Sequence, residues 1–378
     1  MYVFCEKKYV ILLLLFYQKM ITIGDDRMSK VLLGMSGGVD SSAAAVILME
    51  NGHDVTGVTL ELRPEDCSEG LAGDARDAAA VAEKLGIRHI RLDMRELFSR
   101  KVIDRFVDEY IHGRTPNPCI SCNRHIKFGA MLDYALENGY DFIATGHYAR
   151  IEFDEPSGRY RLLRSPSPKD QSYVLYNMTQ RQLAHTMFPL CFATKEQTRE
   201  LARKAGLVGV SGKSDSQEIC FIPDNDYAGF IERSGAPVPP QGNFIDSQGN
   251  VLGTHRGILH YTIGQRKGLG VTFGKPMFVT GIDASDNTVT LGENGSQYRG
   301  GLLAGEVNLI SVPAITGPMR VEAKIRYQAK PAGAVAEPHG DMLRVVFDEP
   351  QRSVTPGQSV VLYDGDAVIG GGVIMGEE

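Results

Sequence analysis

The chain has 378 residues, 43% of them hydrophobic and 23% charged, which predicts a globular protein of two or three domains and excludes a mainly disordered chain. Its six cysteines are too few for a disulfide-stapled scaffold, so we expect reduced thiols and a cytoplasmic location. The net charge of −6 points to no particular partner, because an acidic protein can still bind RNA through a local basic face.

The N-terminal residues 1–28 carry a basic pair followed by a short apolar run, "KKYVILLLLFYQK". The run from Tyr9 to Tyr17 is too short to span a bilayer, and no small-residue cleavage site follows it. Met28 opens "MSKVLLGMSGG" immediately before the first predicted strand. We therefore expect translation to start at Met28, with a non-native or disordered extension before it and no membrane partner. A membrane-attached enzyme is the alternative.

Strands and helices alternate regularly from Lys30 onward. The predicted strands are "KVLLGM", "DVTGVTLEL", "IRHIRLDM" and "YDFIATGHYA", and the predicted helices are "SSAAAVILMENG", "DARDAAAVAEKLG" and "RKVIDRFVDEYIHG". This alternation predicts βαβ units and an α/β fold with a doubly wound parallel sheet. Such a sheet binds ligands at the carboxyl ends of its strands.

The segment "SGGVDSS", Ser36 to Ser42, stands at the end of the first predicted strand. Gly37 and Gly38 let the backbone approach an anion closely, the three serines can donate to phosphate oxygens, and a helix N-terminus follows. Asp40 would repel a bare phosphate but suits one whose charge is shared with Mg²⁺. The segment is not a Walker A motif, because the lysine and the longer glycine spacing are missing. It predicts a phosphate-binding loop.

The segment "GRTPNPCISCNRHIKFG" places Cys119 and Cys122 three positions apart among basic residues. A C-x-x-C pair suits a zinc site, an iron–sulfur site or a redox dithiol, and the spacing alone does not choose between them. A structural zinc is disfavoured, because no second C-x-x-C and no histidine pair at ligand spacing accompanies the first.

The helix and strand alternation gives way near Ser211 to Gly- and Pro-rich segments and then to short alternating strands. In "VEAKIRY", Val321, Ala323, Ile325 and Tyr327 are expected to share a buried face. We expect four parts: the extension 1–28, a catalytic domain 29–211, a small connecting domain 212–282 and a C-terminal β-barrel 283–378.

The loop Ser36 to Ser42 resembles that of the PP-loop ATP pyrophosphatases, which adenylate an oxygen of their substrate and release pyrophosphate. Seven further motifs together resemble the tRNA-specific 2-thiouridylase family over the chain from about Lys30 nearly to its end. In chain order these motifs are "GRTPNPCISCNRHIKFG", "IATGHYAR", "KDQSYVLY", "SDSQEICFIP", "YTIGQRKGLG", "KIRYQ" and "TPGQSVVLY". The resemblance implies ATP and Mg²⁺ as cofactors and the anticodon region of tRNA as the partner.

The resemblance also implies roles for individual residues. ATP would bind at Gly34, Met35, Ser36, Gly37, Gly38, Val39, Asp40, Ser41, Leu60 and Gly146. The target base and the rest of the tRNA would contact Asn117, Pro118, Cys119, His147, Lys169, Asp170, Gln171, Arg326, Tyr327 and Gln358. The second and third domains would supply tRNA recognition beyond the ATP site.

Family resemblance assigns the sulfur chemistry to Cys122 and to Cys220 of "QEICF". Cys220 would carry a persulfide received from an external sulfur donor, and Cys122 would release the sulfur, leaving a Cys122–Cys220 disulfide. The expected sulfur partner of the protein is a sulfur-donor protein or sulfide. The basic residues near Cys122 would lower its thiol pKa and attract anticodon phosphates. We assign no role to the isolated Cys5, Cys67 and Cys191.

One position departs from the pattern of many family members, which carry an aspartate where this chain has Cys119. Three thiols, Cys119, Cys122 and Cys220, could then bind three irons of a 4Fe–4S cluster and leave the fourth iron open for hydrosulfide. The persulfide route and the cluster route thiolate the same base. One alternative to this activity is another PP-loop enzyme that thiolates RNA or amidates a nucleotide. The other is a non-catalytic thiol or metal protein that binds ATP and RNA.

Overall fold

The computed structural model of the protein describes residues 28–63, 71–207, 209, 219–272 and 274–377. The extension 1–27, Cys5 and Cys67 lie outside the described residues. The chain divides into two compact units. Unit 1 comprises Met1–Phe98, Asn123–Asp215 and Asp366–Val368; unit 2 comprises Ser99–Cys122, Ser216–Gly365 and Ile369–Glu378.

Helices and strands are numbered here in chain order. The helices are α1 Val39–Glu50, α2 Leu71–Leu85, α3 Arg95–Phe98, α4 Asp104–Ile111, α5 Pro118–Cys122, α6 Met131–Glu137, α7 Gln180–Ala184, α8 Lys195–Lys204 and α9 Tyr227–Arg233, with π-helical turns at Ser99–Ile103 and Asn123–Ala130 and 3₁₀ turns at Ser172–Leu175 and Ile258–His260. The strands are β1 Lys30–Gly34, β2 Asp54–Glu61, β3 Arg88–Asp93, β4 Phe142–Ala144, β5 Ala149–Asp154, β6 Arg159–Arg164, β7 Thr186–Met187, β8 Gly242–Ile245, β9 Val251–His255, β10 Phe278–Asp283, β11 Thr288–Gly292, β12 Tyr298–Leu309, β13 Met319–Lys324, β14 Ala332–His339, β15 Met342–Arg352, β16 Ser359–Asp364 and β17 Ala367–Glu377.

Unit 1 is built on a five-stranded sheet in the order β3-β2-β1-β4-β7, and its strand pairs are parallel. The central strand β1 buries Val31, Leu32 and Leu33 completely, as expected for a strand covered on both faces. The small residues Ala43–Ala45 of α1 are also fully buried and belong to the same core. The predicted parallel α/β fold is therefore confirmed.

The predicted single strand "YDFIATGHYA" is wrong, because it is divided between two sheets. Strand β4 ends at Ala144, and β5 begins at Ala149 in an antiparallel hairpin with β6. Residues 145–148 leave the sheet at the carboxyl end of β4, and Gly146 lies against the start of α1. The chain turns at Gly146 because residues 145–148 pack closely against the start of α1. The pattern of hydrophobic residues along the sequence does not predict this turn.

Unit 2 contains two β structures. The first is a four-stranded sheet in the order β10-β11-β8-β9, around a core that includes Phe244, Val279 and Val289. The second is a barrel of six strands in the order β12-β15-β14-β13-β16-β17, closed by the pairing of β12 with β17. The predicted C-terminal β-barrel after a smaller connecting domain is confirmed.

The alternation predicted for "VEAKIRY" holds only in part. Val321, Ala323 and Ile325 are buried in the barrel core, but Tyr327 is 39% exposed. The strand β13 ends at Lys324, so the two-residue period no longer fixes the direction of the tyrosine. Among the helices that the structure describes, none is long and apolar enough to cross a membrane.

Candidate active site

The predicted phosphate-binding loop lies between β1 and α1 in unit 1, at the carboxyl edge of the parallel sheet. Gly37 has φ of 69°, a left-handed conformation that favours glycine, and turns the chain from the strand into the helix. The hydroxyls of Ser41 and Ser42 donate to the Gly38 carbonyl oxygen at 3.1 and 2.9 Å. These two serines therefore brace the first turn of α1, so the predicted anion site of the loop would consist mainly of backbone groups.

Three other residues predicted at the ATP site lie at the ends of strands in the same unit. Leu60 is half-buried near the end of β2, and Met35, 3% exposed, accepts a hydrogen bond from the Thr59 hydroxyl through its carbonyl oxygen. Gly146 follows β4, and a Cβ there would lie 2.9 Å from the Asp40 carbonyl carbon. Only glycine fits at this approach, so the loop and the end of β4 form one packed edge.

Asp40 makes contacts that the sequence did not predict. Its Oδ1 and Oδ2 accept hydrogen bonds from Lys195 Nζ at 2.8 and 2.9 Å, and Oδ1 accepts a third from the Tyr148 hydroxyl at 2.7 Å. The Tyr148 hydroxyl also lies 3.1 Å from Thr198 Oγ1, and burial raises the pKa of Tyr148. Asp40 supplies the carboxylate oxygens that Mg²⁺ prefers. That role stays a prediction, since an ammonium group faces both oxygens here.

The sequence predicts that Lys195 lies at the start of a helix, but it does not predict that Lys195 contacts Asp40. Thr194 and Gln197 form a capping box at the start of α8, a pattern that is readable from their spacing. Lys195 is the first residue of this helix, and its side chain is 8% exposed. The pairing with Asp40 spans 155 residues of sequence, which no local pattern can reveal.

The predicted tRNA-contacting segment Lys169 to Gln171 is held against Tyr148, the residue before β5. Asp170 Oδ1 accepts from the backbone amides of Ser165 and Ser172 at 2.9 and 3.2 Å. Gln171 Oε1 accepts from the Tyr148 amide at 3.0 Å, and the Gln171 amide donates to the Tyr148 carbonyl oxygen at 2.8 Å. Asp170 and Gln171 thus order the loop, and their tRNA contact stays a prediction.

His147 is buried rather than presented on a surface, with 8% exposure. Its ring lies 5.8 Å from that of Phe128 and 6.0 Å from that of Phe188, and Nδ1 hydrogen-bonds to Thr145 Oγ1 at 2.8 Å. Burial, followed by the charge of Lys127, holds the pKa of His147 well below 6.5. A neutral, packed imidazole favours a structural role, so the predicted contact of His147 with tRNA has no support in this geometry.

The thiol loop, Thr115 to Cys122, belongs to unit 2. Asn117 Oδ1 accepts from the Cys119 amide at 3.1 Å, and Pro118 is the first residue of α5, a position that suits proline. Cys119 is exposed, whereas Cys122 is 8% exposed. The helix therefore turns the two thiols of the C-x-x-C pair toward different environments.

The turn between β15 and β16 of the C-terminal barrel is hydrogen-bonded directly to this loop. The Thr115 amide donates to the Pro356 carbonyl oxygen at 2.9 Å, and Gln358 Nε2 donates to the Thr115 carbonyl oxygen at 2.7 Å. Gly357, at φ of 88°, approaches so closely that a Cβ there would lie 2.8 Å from the Thr115 nitrogen. We call Pro356, Gly357 and Gln358 the barrel clamp. The side-chain amide of Gln358, predicted to contact tRNA, is engaged in this clamp.

Cys220 is exposed and is anchored through its neighbour. Phe221 is buried against Phe106 of α4 and Phe230 of α9, with ring centroids 5.4 and 5.3 Å apart. Helix α4 directly precedes the thiol loop in the chain. The segment that carries Cys122 and the segment that carries Cys220 are therefore both connected to this cluster of Phe106, Phe221 and Phe230. None of the described cysteines is in a disulfide, and burial raises the pKa of the Cys191 thiol to about 12, which agrees with its lack of a role.

The three thiols do not form a ligand set in this arrangement. Within the described parts of the chain, no three side chains of His, Cys, Asp or Glu are grouped to hold a metal ion. Cys119, Cys122 and Cys220 are all described, and a cluster site would require them to converge. The described residues therefore give no support to a 4Fe–4S site at these three thiols.

Arg326 and Tyr327 of the barrel have different environments. Arg326 Nη2 lies 3.2 Å from the Ile263 carbonyl oxygen, 2.9 Å from that of Ser353 and 2.5 Å from Thr355 Oγ1. Tyr327 is exposed, with the Lys324 ammonium 5.5 Å from its ring centroid. The geometry makes Arg326 a brace between loops, whereas Tyr327 presents an aromatic surface. Both tRNA contacts stay predictions.

Comparison with known proteins matches three family descriptions along the chain. Residues 29–224 match a tRNA methyl transferase HUP domain, residues 229–293 a tRNA methyl transferase PRC-barrel domain, and residues 299–374 an aminomethyltransferase β-barrel domain. Curated relatives named tRNA-specific 2-thiouridylase MnmA are similar over nearly their whole length. That of Clostridioides difficile is 52% identical, covering 91% of this chain and 98% of the relative, and that of Acetivibrio thermocellus is 53% identical, covering 92% and 99%.

Proposed function

The chain belongs to the tRNA-specific 2-thiouridylase family, and on that premise we propose that it converts the wobble uridine of certain tRNAs to 2-thiouridine. The reaction would consume ATP and release AMP and pyrophosphate. The observation that carries this proposal is the combination, in one chain, of a glycine-turned anion loop with Asp40 and a clamped thiol loop.

The first half-reaction needs a nucleotide site. The C2 oxygen of uracil is a poor leaving group, so it attacks the α-phosphorus of ATP and pyrophosphate departs. The backbone of the loop after β1 binds the phosphates, and Mg²⁺, when bound with ATP at Asp40, neutralises phosphate charge. Gly146 lets the end of β4 pack closely against Asp40, which fixes this edge beside the nucleotide site.

The second half-reaction needs two thiols with different access. An external sulfur donor loads exposed Cys220 as a persulfide, whose terminal sulfur attacks C2 of the adenylated base and expels AMP. The Cys122 thiolate then attacks the Cys220 sulfur, which releases 2-thiouridine and leaves a Cys122–Cys220 disulfide. An external dithiol supplies the two electrons that restore both thiols. A cytoplasmic location, where such reductants keep thiols reduced, is part of the proposal.

The cluster route is the rival mechanism for the same product, although the three thiols are not grouped as a metal site in the described residues. The two routes differ in the role of Cys119. If the persulfide route holds, Cys119→Ala retains most activity, whereas Cys122→Ala and Cys220→Ala lose it. If the cluster route holds, all three substitutions abolish activity and lower the bound iron.

The experiment combines the full chain with unmodified tRNA, Mg-ATP, sulfide or a persulfide donor, and a dithiol. Pyrophosphate release and mass analysis of the digested tRNA are measured for the wild type and the three cysteine variants, each prepared anaerobically and assayed for iron. Cys191→Ala is the matched control, because its thiol is buried and outside the proposed chemistry. If no tRNA-dependent pyrophosphate release is detected, the protein does not catalyse the proposed reaction. A wild-type protein that is free of iron and fully active would exclude the cluster route.

A further inference from the structure

The two cysteines of helix α5 differ in exposure in a way that suits disulfide exchange. Cys119 is exposed, whereas Cys122, three residues later in the same helix, is 8% exposed. Thiol–disulfide exchange requires a thiolate that is accessible to its partner and a second sulfur that this thiolate can attack. Cys119 meets the first requirement, and Cys122 is the nearest cysteine to it along the chain.

The helical spacing of the pair brings Cys122 within the range of a disulfide to Cys119. Three residues of an α-helix advance about 4.5 Å along the axis, which puts the first and last Cα atoms about 5 Å apart. Disulfides join residues whose Cα atoms are about 4.4–6.8 Å apart. The Cβ atoms of such a helical pair are about 5–6 Å apart and must approach to about 3.5–4.5 Å, so the first turn of α5 has to tighten.

The backbone at the start of α5 permits this movement and confines it to one turn. The first amides of a helix have no acceptor within the helix, and the Cys119 amide donates to Asn117 Oδ1 at 3.1 Å. The Ile120 amide donates to the Asn117 carbonyl oxygen at 3.2 Å. Just before this cap, the barrel clamp holds Thr115. Tightening the turn therefore costs the Cys119 amide no helical hydrogen bond, and the clamp keeps the preceding segment in place.

The proposed reaction creates a need for such an exchange. It ends with a Cys122–Cys220 disulfide, and Cys220 cannot accept another sulfur while it is bonded to Cys122. Because Cys122 is largely buried, a protein reductant has poor access to its sulfur. Cys119 lies on the same helix as that sulfur and is exposed to partners.

We propose that Cys119 resolves the Cys122–Cys220 disulfide by thiol–disulfide exchange. The Cys119 thiolate attacks the Cys122 sulfur, the Cys122–Cys220 bond breaks, and Cys220 leaves as a thiolate that takes up the proton lost by Cys119. A Cys119–Cys122 disulfide remains, and this step needs no external electrons. An external dithiol then attacks the Cys119 sulfur and closes to its own disulfide, which supplies two electrons and restores both thiols. This inference rests on the proposed function for the origin of the Cys122–Cys220 disulfide.

The exchange accounts for a sulfur at position 119. A carboxylate, which many family members carry there, cannot form a disulfide, so the step is particular to chains with a cysteine at this position. Each exchange joins only two sulfurs at a time. It therefore needs no convergence of three thiols, in agreement with the lack of a three-residue metal-ligand group among the described residues.

The first test uses the full chain without tRNA or ATP. The protein is equilibrated in buffers of reduced and oxidised glutathione, quenched with acid, alkylated and mapped by peptide mass analysis. The wild type should form a Cys119–Cys122 disulfide, and Cys119→Ser should not. Cys191→Ala, which removes a buried thiol, is the matched control and should give the wild-type pattern. Absence of a Cys119–Cys122 disulfide from the wild type at every glutathione ratio would overturn the inference.

The second test follows one round of thiolation by protein loaded with persulfide, with tRNA and Mg-ATP but no reductant. The wild type should end with a Cys119–Cys122 disulfide and a free Cys220 thiol, whereas Cys119→Ser should end with the Cys122–Cys220 disulfide. A wild type that ends with the Cys122–Cys220 disulfide and a free Cys119 thiol would show that Cys119 does not resolve it.

The dependence on dithiol gives a kinetic measure of the same step. A tethered thiol acts at an effective concentration of roughly 1 mM, so at about 0.1 mM dithiol the ratio of steady-state rate to first-turnover rate should fall about ten-fold in Cys119→Ser. Excess small dithiol, which can attack the exposed Cys220 side of the disulfide, should restore this ratio. An equal dithiol dependence in both proteins would contradict the proposal.

The outcomes separate this inference from the function on which it rests. Thiolation without any Cys119–Cys122 disulfide would sink the inference alone. A Cys119–Cys122 disulfide in glutathione without thiolation of tRNA would sink the proposed function alone. Bound iron that is lost in Cys119→Ser, with no Cys119–Cys122 disulfide in the wild type, would overturn the exchange and assign Cys119 to the cluster route.

Discussion

Gly357→Ala should disturb the thiol loop more than an ordinary glycine substitution in the barrel. Gly357 has φ of 88°, so alanine there bears backbone strain of about 1–3 kcal/mol. Its Cβ would also lie 2.8 Å from the Thr115 nitrogen and 3.0 Å from Arg114 Cβ, contacts that force the loop to move. Such overpacking adds about 1–3 kcal/mol. We expect a total loss of unfolding free energy of about 2–6 kcal/mol.

Gly340→Ala supplies the matched control within the same barrel. Gly340 has φ of 63°, and, apart from its chain neighbours, no heavy atom of the described residues lies within 4 Å of the position that a Cβ would take, so alanine bears strain without a clash. We expect it to lose about 1–2 kcal/mol and to leave the thiols unchanged. Gln358→Ala, which removes one hydrogen bond to Thr115 without strain, should lose about 1 kcal/mol.

The assays are urea denaturation and the alkylation rate of individual cysteines, read by peptide mass analysis. Releasing the barrel clamp should speed alkylation of buried Cys122 in Gly357→Ala and, to a smaller extent, in Gln358→Ala. Alkylation of Cys220, which is held by the aromatic cluster, should not change. Equal stability losses for the two glycine variants, together with unchanged Cys122 alkylation, would refute the clamp. Weakened tRNA binding by Gln358→Ala with unchanged Cys122 alkylation would favour a direct tRNA contact.

Two further predictions concern Arg326 and His147. Arg326→Ala should lower the unfolding free energy by about 2 kcal/mol, because the Arg326 guanidinium donates hydrogen bonds to the carbonyl oxygens of Ile263 and Ser353. Unchanged stability together with a smaller salt dependence of tRNA binding would contradict this prediction. The pKa of His147 is lowered in the folded state, so the unfolded chain takes up the proton first and stability falls as the pH drops below 6.5. His147→Gln should flatten this fall by up to about 1.4 kcal/mol per pH unit in urea titrations, and an unchanged slope would show that His147 protonates equally in both states.

The parallel sheet could be predicted because its signals are local. A buried strand such as β1 is a run of apolar residues, and the helix after it begins at a glycine turn that is readable in the sequence. The break between β4 and the hairpin of β5 and β6 is not predicted, since no proline, lysine, arginine or acidic residue stands in the four residues between β4 and β5. The turn at Gly146 depends on packing against Asp40, which is distant in sequence.

The residues of the candidate site also fall into two groups, those that local sequence predicts and those that only long-range contacts reveal. Gly37, Asp40 and the thiol loop carry their chemistry in neighbouring residues, so composition and spacing point to them. Lys195 and the barrel clamp act through contacts of long sequence separation, 155 residues for Lys195 with Asp40 and 243 for Gln358 with Thr115. Motif reasoning placed Gln358 and Arg326 at a functional surface, but only the hydrogen bonds show what their side chains hold.

The unequal exposure of the two sulfur-bearing residues gives the proposed reaction an order. A donor protein can reach exposed Cys220, whereas Cys122, 8% exposed and held on the clamped loop, is screened from a large partner. In the proposed reaction, sulfur would therefore be loaded at Cys220, and Cys122 would act later, when small movements of its loop suffice. The same burial protects Cys122 from oxidants between turnovers, since oxidation follows the accessibility of the thiolate. If the proposed reaction holds, we expect the barrel clamp, which holds Thr115, to control when the Cys122 thiol becomes accessible.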